Sequence, residues 1–361
     1  MKMVSPLLKR VVLPALSRMG CLRKYASDGQ LCVVTYHGVQ PAEYSVPDPI
    51  LEGNLVSAEN LRAQLRLLKK HYQLIAPEHF LAWLCGEQQL PRRSVLLTCD
   101  DGLQNVLTDM VPVLRDEGAL CLFFVTGSSI ENNPAMLWYE QLYLALKWAT
   151  SGPIRIEYDG LRISCDRDSE RRIVWWELVQ MLSECVAEKR LRVLRVLEAA
   201  LGFGAQQLAT LRTNPATFRR FFLLTSTDLL ELAAQGMTVG AHTVSHPFLA
   251  RSPDACAHME VARSRALLAD TLGCEVWAFA YPFGTIGSFS ARDMALAEAA
   301  QFRCAFANTG GGFGADLPRF ALPRVHVTAD MSLGEFEAHV SGLYRRLRSS
   351  MDVGHAVDRS A

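Results

Sequence analysis

Residues 94–102 read SVLLTCDDG. An apolar run ends there in two adjacent carboxylates, Asp100 and Asp101, and a glycine. A short apolar run closed by turn chemistry predicts a buried strand over 94–98, and the pattern of 104–116 predicts the helix that follows it. Adjacent carboxylates repel each other, so a plain loop gains little from them beyond a cap for the next helix. At the C-terminal end of a strand, where α/β folds carry their working loops, they call for a positive charge to face.

The same alternation extends in both directions. Strands are predicted at Leu31–Tyr36 (LCVVTY), 119–125, 237–241, 276–281, Cys304–Ala307 and 323–327, and helices at 58–70, 255–272, 290–300 and 333–346. Repeated βα units imply an α/β fold, a mostly parallel sheet covered by helices and either open or closed into a barrel. Between about 131 and 225 the pattern changes. The stretch IRIEYDGLRIS predicts a hairpin turning at Asp159-Gly160, and 169–185 and 186–200 read as helices. This is a mainly helical insertion above one face of the sheet, a cap or substrate platform. The chain therefore divides into a basic N-terminal segment (1–30), the main α/β unit (31–346) carrying the insertion, and a polar tail (347–361).

Thirty-seven basic residues balance thirty-seven acidic ones over 361 residues, so no basic field collects nucleic acid. Ten cysteines without a CxxC pair argue against a cysteine zinc site and for free thiols in a reducing compartment. The N-terminal MKMVSPLLKRVVLPALSRMGCLRKY places Val4, Leu7, Leu8, Val11, Val12, Ala15, Leu16 and Met19 on one helical face, among Lys9, Arg10, Arg18, Arg23 and Lys24. Its apolar stretch is too short to span a bilayer and suits a signal peptide poorly. Two readings stand for residues 1–25: a helix lying on a membrane surface, or one packed on the domain. The expected location is the cytoplasm, including the inner face of its membrane.

Residues 240–247, GAHTVSHP, supply His242 and His246 at a strand-to-loop junction. Two imidazoles and one carboxylate form a catalytic zinc set with an open position, and a cation would also answer the charge of Asp100 and Asp101.

Thr98-Cys99-Asp100-Asp101-Gly102 with His242-Thr243-Val244-Ser245-His246 resembles the polysaccharide deacetylase family, carbohydrate esterase family four, and Tyr281-Pro282-Phe283-Gly284 is similar to its third motif. The resemblance implies a distorted (β/α) barrel with a divalent metal, commonly zinc, at the C-terminal strand ends. Asp101, His242 and His246 would hold the metal, and Asp100 would be the general base. Tyr281, Pro282 and Phe283 would lie at the substrate, and His37, after a Tyr-His pair that related sugar deacetylases share, would join them. Three departures stand out. Cys99 replaces the usual Phe, and strand alternation points it away from Asp100. Phe279 stands where the third motif often carries Arg. The last motif is atypical, Leu322-Pro323-Arg324-Val325-His326. Since Arg324 and His326 share a strand face, Arg324 is read as the replacement guanidinium that orients Asp100, and His326 as the general acid.

The implied activity is metal-dependent removal of an acyl group, N-acetyl first, from an acetylated sugar of a polysaccharide, glycolipid or activated precursor. A deformylase acting on a lipid-linked aminosugar and a carbohydrate-binding protein without turnover are the rivals. Trp138, Tyr139 and Glu140 open the insertion and suit either a sugar face or a core. Gly310 to Gly314 reads as a loop, not a phosphate cradle.

Overall fold

The computed structural model describes residues 7–26, 31–46, 53–131, 135–149, 154–158, 161–165, 171–310 and 318–344. The tail 347–361, the turn at Asp159-Gly160, residues 1–6 and the glycine run after Gly310 lie outside the described residues.

Apolar on both faces, Leu31–Tyr36 (β1) pairs in parallel with Ser94–Cys99 (β3), Leu31 opposite Ser94 and Tyr36 opposite Cys99. The other strands are Gln73–Ile75 (β2), Leu122–Val125 (β4), Ile154–Tyr158 (β5), Leu161–Cys165 (β6), Thr238–Ala241 (β7), Ala278–Ala280 (β8), Cys304–Ala307 (β9), Leu322–Pro323 (β10) and Val325–His326 (β11). Parallel pairing runs β10-β9-β8-β7-β4-β3-β1-β11, with β2 beside the first half of β3. Only Arg324 separates β10 from β11, so the path returns on itself: Leu322 pairs with Phe306, and Val325 with Val34. The sheet is a nearly closed parallel barrel with helices outside.

Strand alternation sorts the apolar side chains into two cores. Val34, Tyr36, Leu97, Cys99 and Ala241 face outward and pack with Leu61, Leu65 and Leu68 of the helix Ala58–His71. Val33, Leu96, Phe124, Ala280 and Phe306 fill the lumen. Phe80, on the helix Pro77–Leu84, plugs the end where the strands begin, 5.7 Å from the Phe306 ring centroid. Gly240 makes room for this filling, since a Cβ there would stand 2.7 Å from the Phe124 ring. The same alternation aims Thr98, Asp100, His242 and Arg324 inward, toward the mouth.

Several boundaries differ from the sequence expectation. The strand expected at 119–125 begins at Leu122, that at 276–281 shortens to β8, and that at 323–327 splits at Arg324 because its halves pair with different neighbours. The helix after β3 contains a wide turn, Val111 N–H reaching back to the Val106 carbonyl, because Pro112 brings no donor of its own. The helix expected at 333–346 is Leu333–Val340. The elements β2, Pro77–Leu84, Trp138–Trp148, Ala205–Thr213, Pro215–Phe221 and Ser226–Ala234 went unpredicted.

In the insertion, Trp138–Trp148, Arg171–Ser183 and Ala187–Ala200 bury Leu142, Leu146, Val179, Leu182, Leu194 and Leu197 in a core of their own. The antiparallel pair β5–β6 accompanies them.

The N-terminal segment is helical through Leu8–Val12 and Leu13–Arg18 and packs on Leu333–Val340. Leu13 and Leu22 are buried with Ala338, and Glu337, wholly buried, accepts from Ser17 Oγ and from Arg23 Nε (2.9 Å). Gly334 permits the contact, because a Cβ there would meet Pro14 N at 2.4 Å. Of the two readings of this segment, packing on the domain is thus met by one face. Among the described residues no helix is long and apolar enough to cross a membrane.

Candidate active site

The ends of β3, β7, β8 and β11 converge at the mouth. Asp100 continues β3, its N–H donating to the Tyr36 carbonyl at 2.9 Å, and Asp101 then leaves the strand with φ +74°. Thr243 (+64°), His246 (+55°) and Phe283 (+61°) share that left-handed region, which costs non-glycine residues roughly 1–3 kcal/mol each and clusters at functional sites. The loop after β7 is held in this shape from several sides. Glu260 accepts from the N–H groups of Val244 and Ser245 at 2.8 Å each, and Trp138 Nε1 donates to the His246 carbonyl at 3.0 Å. Arg190, buried in the insertion, donates to Ser245 Oγ at 2.6 Å.

Asp101 Oδ1 lies 3.6 Å from His242 Nε2 and 3.3 Å from His246 Nε2. Donor atoms of these three residues all fall within 4.8 Å of one another. Ligands on a tetrahedral ion with bonds of about 2.0–2.1 Å stand about 3.3 Å apart, so the cluster has the right size. His242 Nδ1 is 2.8 Å from the Ala280 carbonyl; a carbonyl only accepts, so Nδ1 carries the hydrogen and Nε2 keeps its lone pair toward Asp101. Burial pushes His242 down to about 4, which leaves it a neutral ligand. Burial alone would raise the Asp101 carboxyl, but the hydrogen bond from His246 and the nearby histidines hold it below the usual carboxylate range. One carboxylate and two imidazoles fit a divalent ion.

Asp100 faces a different positive charge. Arg324 Nη1 and Nη2 donate to its two oxygens at 2.6 Å each, a bidentate pair with both side chains essentially inaccessible. The guanidinium also lies 5.3 Å from the Phe124 ring centroid, on the lumen packing. Burial would raise the Asp100 carboxyl; Arg324, aided by His242 and His37, overrides it and keeps the group below its ordinary value. The structure therefore brings Arg324 to Asp100, and Phe279 takes no part in the site because it faces the outer core.

His326 stands beside His37, ring centroids 4.7 Å apart, and each has a buried ring nitrogen without a hydrogen-bond partner, Nε2 of His326 and Nδ1 of His37. Burial, reinforced by His37, lowers His326 to about 3, so it rests neutral. Both rings line a groove of about 460 Å³ together with Asp101, His242, His246 and Phe283, a volume ordinary for a ligand cleft. The far wall comes from the insertion, with Tyr139, Trp175, Trp176 and Gln180. The Tyr139 ring lies tilted against the His246 ring, centroids 5.2 Å apart, and Glu140 pairs with Arg220 at 2.8 Å.

Two expected substrate residues are placed elsewhere. Tyr281 is fully buried in the outer core, its hydroxyl donating to the Phe320 carbonyl at 2.9 Å, because alternation through β8 turns it away from the lumen. Pro282 is buried and is not among the residues that line the groove. Cys99 faces the outer core, away from the carboxylates. Asn54, Asn308, Phe248 and Arg251 line the groove without having been singled out; among the wall residues Tyr139 had been, and the Trp175-Trp176 tandem was a further signal in the sequence.

The sequence model for polysaccharide deacetylase matches residues 87–149 and 210–304, which contain Asp100, Asp101, His242 and His246 and skip most of the insertion. The chain belongs to the polysaccharide deacetylase family. Its fold is shared by the Streptococcus pyogenes deacetylase PplD (16% identity, TM-score 0.55, covering 87% of this chain and 99% of that one). IcaB from Ammonifex degensii has the same fold (20% identity, TM-score 0.53, covering 87% and 98%). So does a de-N-acetylase from Aggregatibacter actinomycetemcomitans (13% identity, TM-score 0.54, covering 85% and 98%). No curated protein sequence matches the chain. The matched segments of this deacetylase leave out His37, Arg324 and His326, whose roles rest on geometry.

Proposed function

We propose that this deacetylase hydrolyses an N-acyl group, N-acetyl first, from an aminosugar of a glycan or glycan precursor. The observation that carries the reading is the division of labour between neighbours: Asp101 faces His242 and His246, while Asp100 is locked by Arg324. A divalent ion held by Asp101, His242 and His246, zinc by their chemistry, would polarise the amide carbonyl and acidify the attacking water. Asp100, ionised, takes the water's proton; each of its oxygens keeps a lone pair beside the bond from Arg324. Attack on the carbonyl carbon and cleavage of the C–N bond give a carboxylic acid, which then ionises, and an amine; His326 passes to the leaving nitrogen the proton that Asp100 took from the water. Neutral at rest, His326 gains proton affinity as negative charge develops on the substrate beside it. Tyr139, Trp176 and Phe283 offer aromatic faces to the sugar.

That PplD was solved with acetate, and that another structural relative is a de-N-acetylase, supports acetyl over formyl. Retention of both the ligand triad and an arginine-held base supports turnover over mere binding. The test is metal analysis of the purified chain, with acetate and formate measured after incubation with N-acetylated and N-formylated glycans. Acetate release that stops on chelation and returns with zinc is expected. Formate alone would favour the deformylase, and glycan binding without either acid the non-catalytic reading.

His326→Ala is expected to lower turnover by about 10²- to 10⁴-fold, the usual size of a general-acid effect, with metal content unchanged. Near-normal turnover across pH would move the role to His37.

A further inference from the structure

The N-terminal helix spends one face on the domain and leaves the other open. Leu13 and Ser17 are buried against Leu333–Val340, whereas Leu7, Val11 and Met19 are 64%, 56% and 67% exposed and Val12 is 38% exposed. Exposed large apolar residues grouped on one helix face usually mark an interaction surface. Residues 1–26 contain Lys2, Lys9, Arg10, Arg18, Arg23 and Lys24 and no acidic residue. Lys9 and Arg23 are engaged by Glu335 and Glu337, whereas Arg10 and Arg18 on the helix and Lys24 just past its end are exposed and, among the described residues, pair with no acidic side chain.

The position of this face matters as much as its composition. Ser332 Oγ donates to the Lys9 carbonyl at 2.9 Å and Lys9 meets Glu335 at 2.9 Å, so residues 9–14 sit at the start of the helix that follows β11. That is the end of the barrel where β11 delivers His326 to the groove. Leu22 and Arg23 lie further along, near Ala338 and Glu337. The apolar end of the face, Leu7, Val11 and Val12, is thus at the catalytic end.

We propose that the outer face of the N-terminal helix, Leu7, Val11, Val12 and Met19 with Arg10 and Arg18, and Lys24 just past its end, docks this chain on an anionic lipid surface. Aliphatic side chains enter the headgroup boundary while the cations meet lipid phosphates, the arrangement of an interfacial amphipathic helix. The docked inner face supplies what a free peptide lacks: the helix is already folded on Leu333–Val340, so binding does not have to order it. The contact sets the barrel beside the lipid with its catalytic end close to the surface. This inference is independent of the deacetylase reading, since lipid binding needs no turnover.

The test is co-sedimentation of the full chain with vesicles of phosphatidylcholine alone and of an equal mixture with phosphatidylglycerol. Binding to the mixed vesicles only is expected, weakening with salt. Each basic residue near an anionic surface is worth about 1 kcal/mol, about fivefold in affinity, so Arg10→Glu with Arg18→Glu should weaken binding by more than tenfold. Val11→Asp with Met19→Asp should also abolish it; both sites are exposed, so the melting temperature should stay unchanged. Equal binding to neutral vesicles, or undiminished binding of either double variant, would overturn the proposal. So would a chain that ignores vesicles, and if it is then a dimer that Val11→Asp dissociates, the face belongs to a second copy.

Discussion

Asp100→Asn should cut turnover by about 10²- to 10⁴-fold while the divalent metal stays bound, and Asp101→Asn should instead lose the metal first. The residues are neighbours with nearly the same exposure, so burial cannot separate them; their partners can. Asp100 has both oxygens on Arg324, whereas Asp101 Oδ1 lies 3.6 and 3.3 Å from the two imidazoles. An amide at 100 cannot take a proton from water. At 101 it replaces an anionic ligand by a neutral one, and excess zinc should restore part of the activity. Measuring metal stoichiometry and acetate release for both variants decides the matter. Equal metal loss in both would mean that the carboxylates share the ion. A cooperative melt must accompany the Asp100→Asn result, because that variant also leaves Arg324 facing a neutral group.

Arg324→Met should destabilise the fold by roughly 3–5 kcal/mol, the range for removing one partner of a buried ion pair. Methionine approximates the apolar stem and can lie against Phe124 and Phe306, so lost packing is a small part of this. The rest comes from Asp100, a buried carboxylate without its cation. The sign with pH follows from the two states. In the native chain the folded Asp100 value lies below the unfolded one, about 3.9, so its contribution is present above that value and lost as pH falls through the folded value. In the variant, burial is opposed only by the weaker influence of His242 and His37, and the folded value is expected to rise above the unfolded one. The variant then loses stability as pH rises through that window, and the gap in melting temperature should be widest near neutral pH and narrow in acid. Turnover should fall and recover partly at higher pH, as the base ionises again. A melting temperature and pH profile equal to the parent's would show that Arg324 is not what holds Asp100 charged.

Much of this was legible in the residues. SVLLTCDDG reports strand, turn and paired acids because each is a local pattern, and GAHTVSHP reports a strand end with imidazoles for the same reason. Alternation within one short segment put Arg324 and His326 on a common face and turned Cys99 away. The expectation for Tyr281 came from the resemblance to the third motif and not from alternation, which carries Tyr281 with Phe279 to the outer core. Alternation did not find the insertion's grip on the site, Trp138 on the His246 carbonyl and Arg190 on Ser245, since nothing local links those positions.

By itself, then, the sequence determined the βα alternation of the main barrel strands, without β2 or the five helices that went unpredicted, and the kinds of side chain at the strand ends. These depend on residues a few positions apart, which one element's periodicity records. Whether Arg324 reaches Asp100, 224 positions earlier, depended on pairing order and register. Closure of the barrel through β10 and β11 brought them to 2.6 Å, and burial around that pair set which histidines are neutral. Long-range pairing and desolvation belong to the packed barrel, so only the tertiary structure decided them.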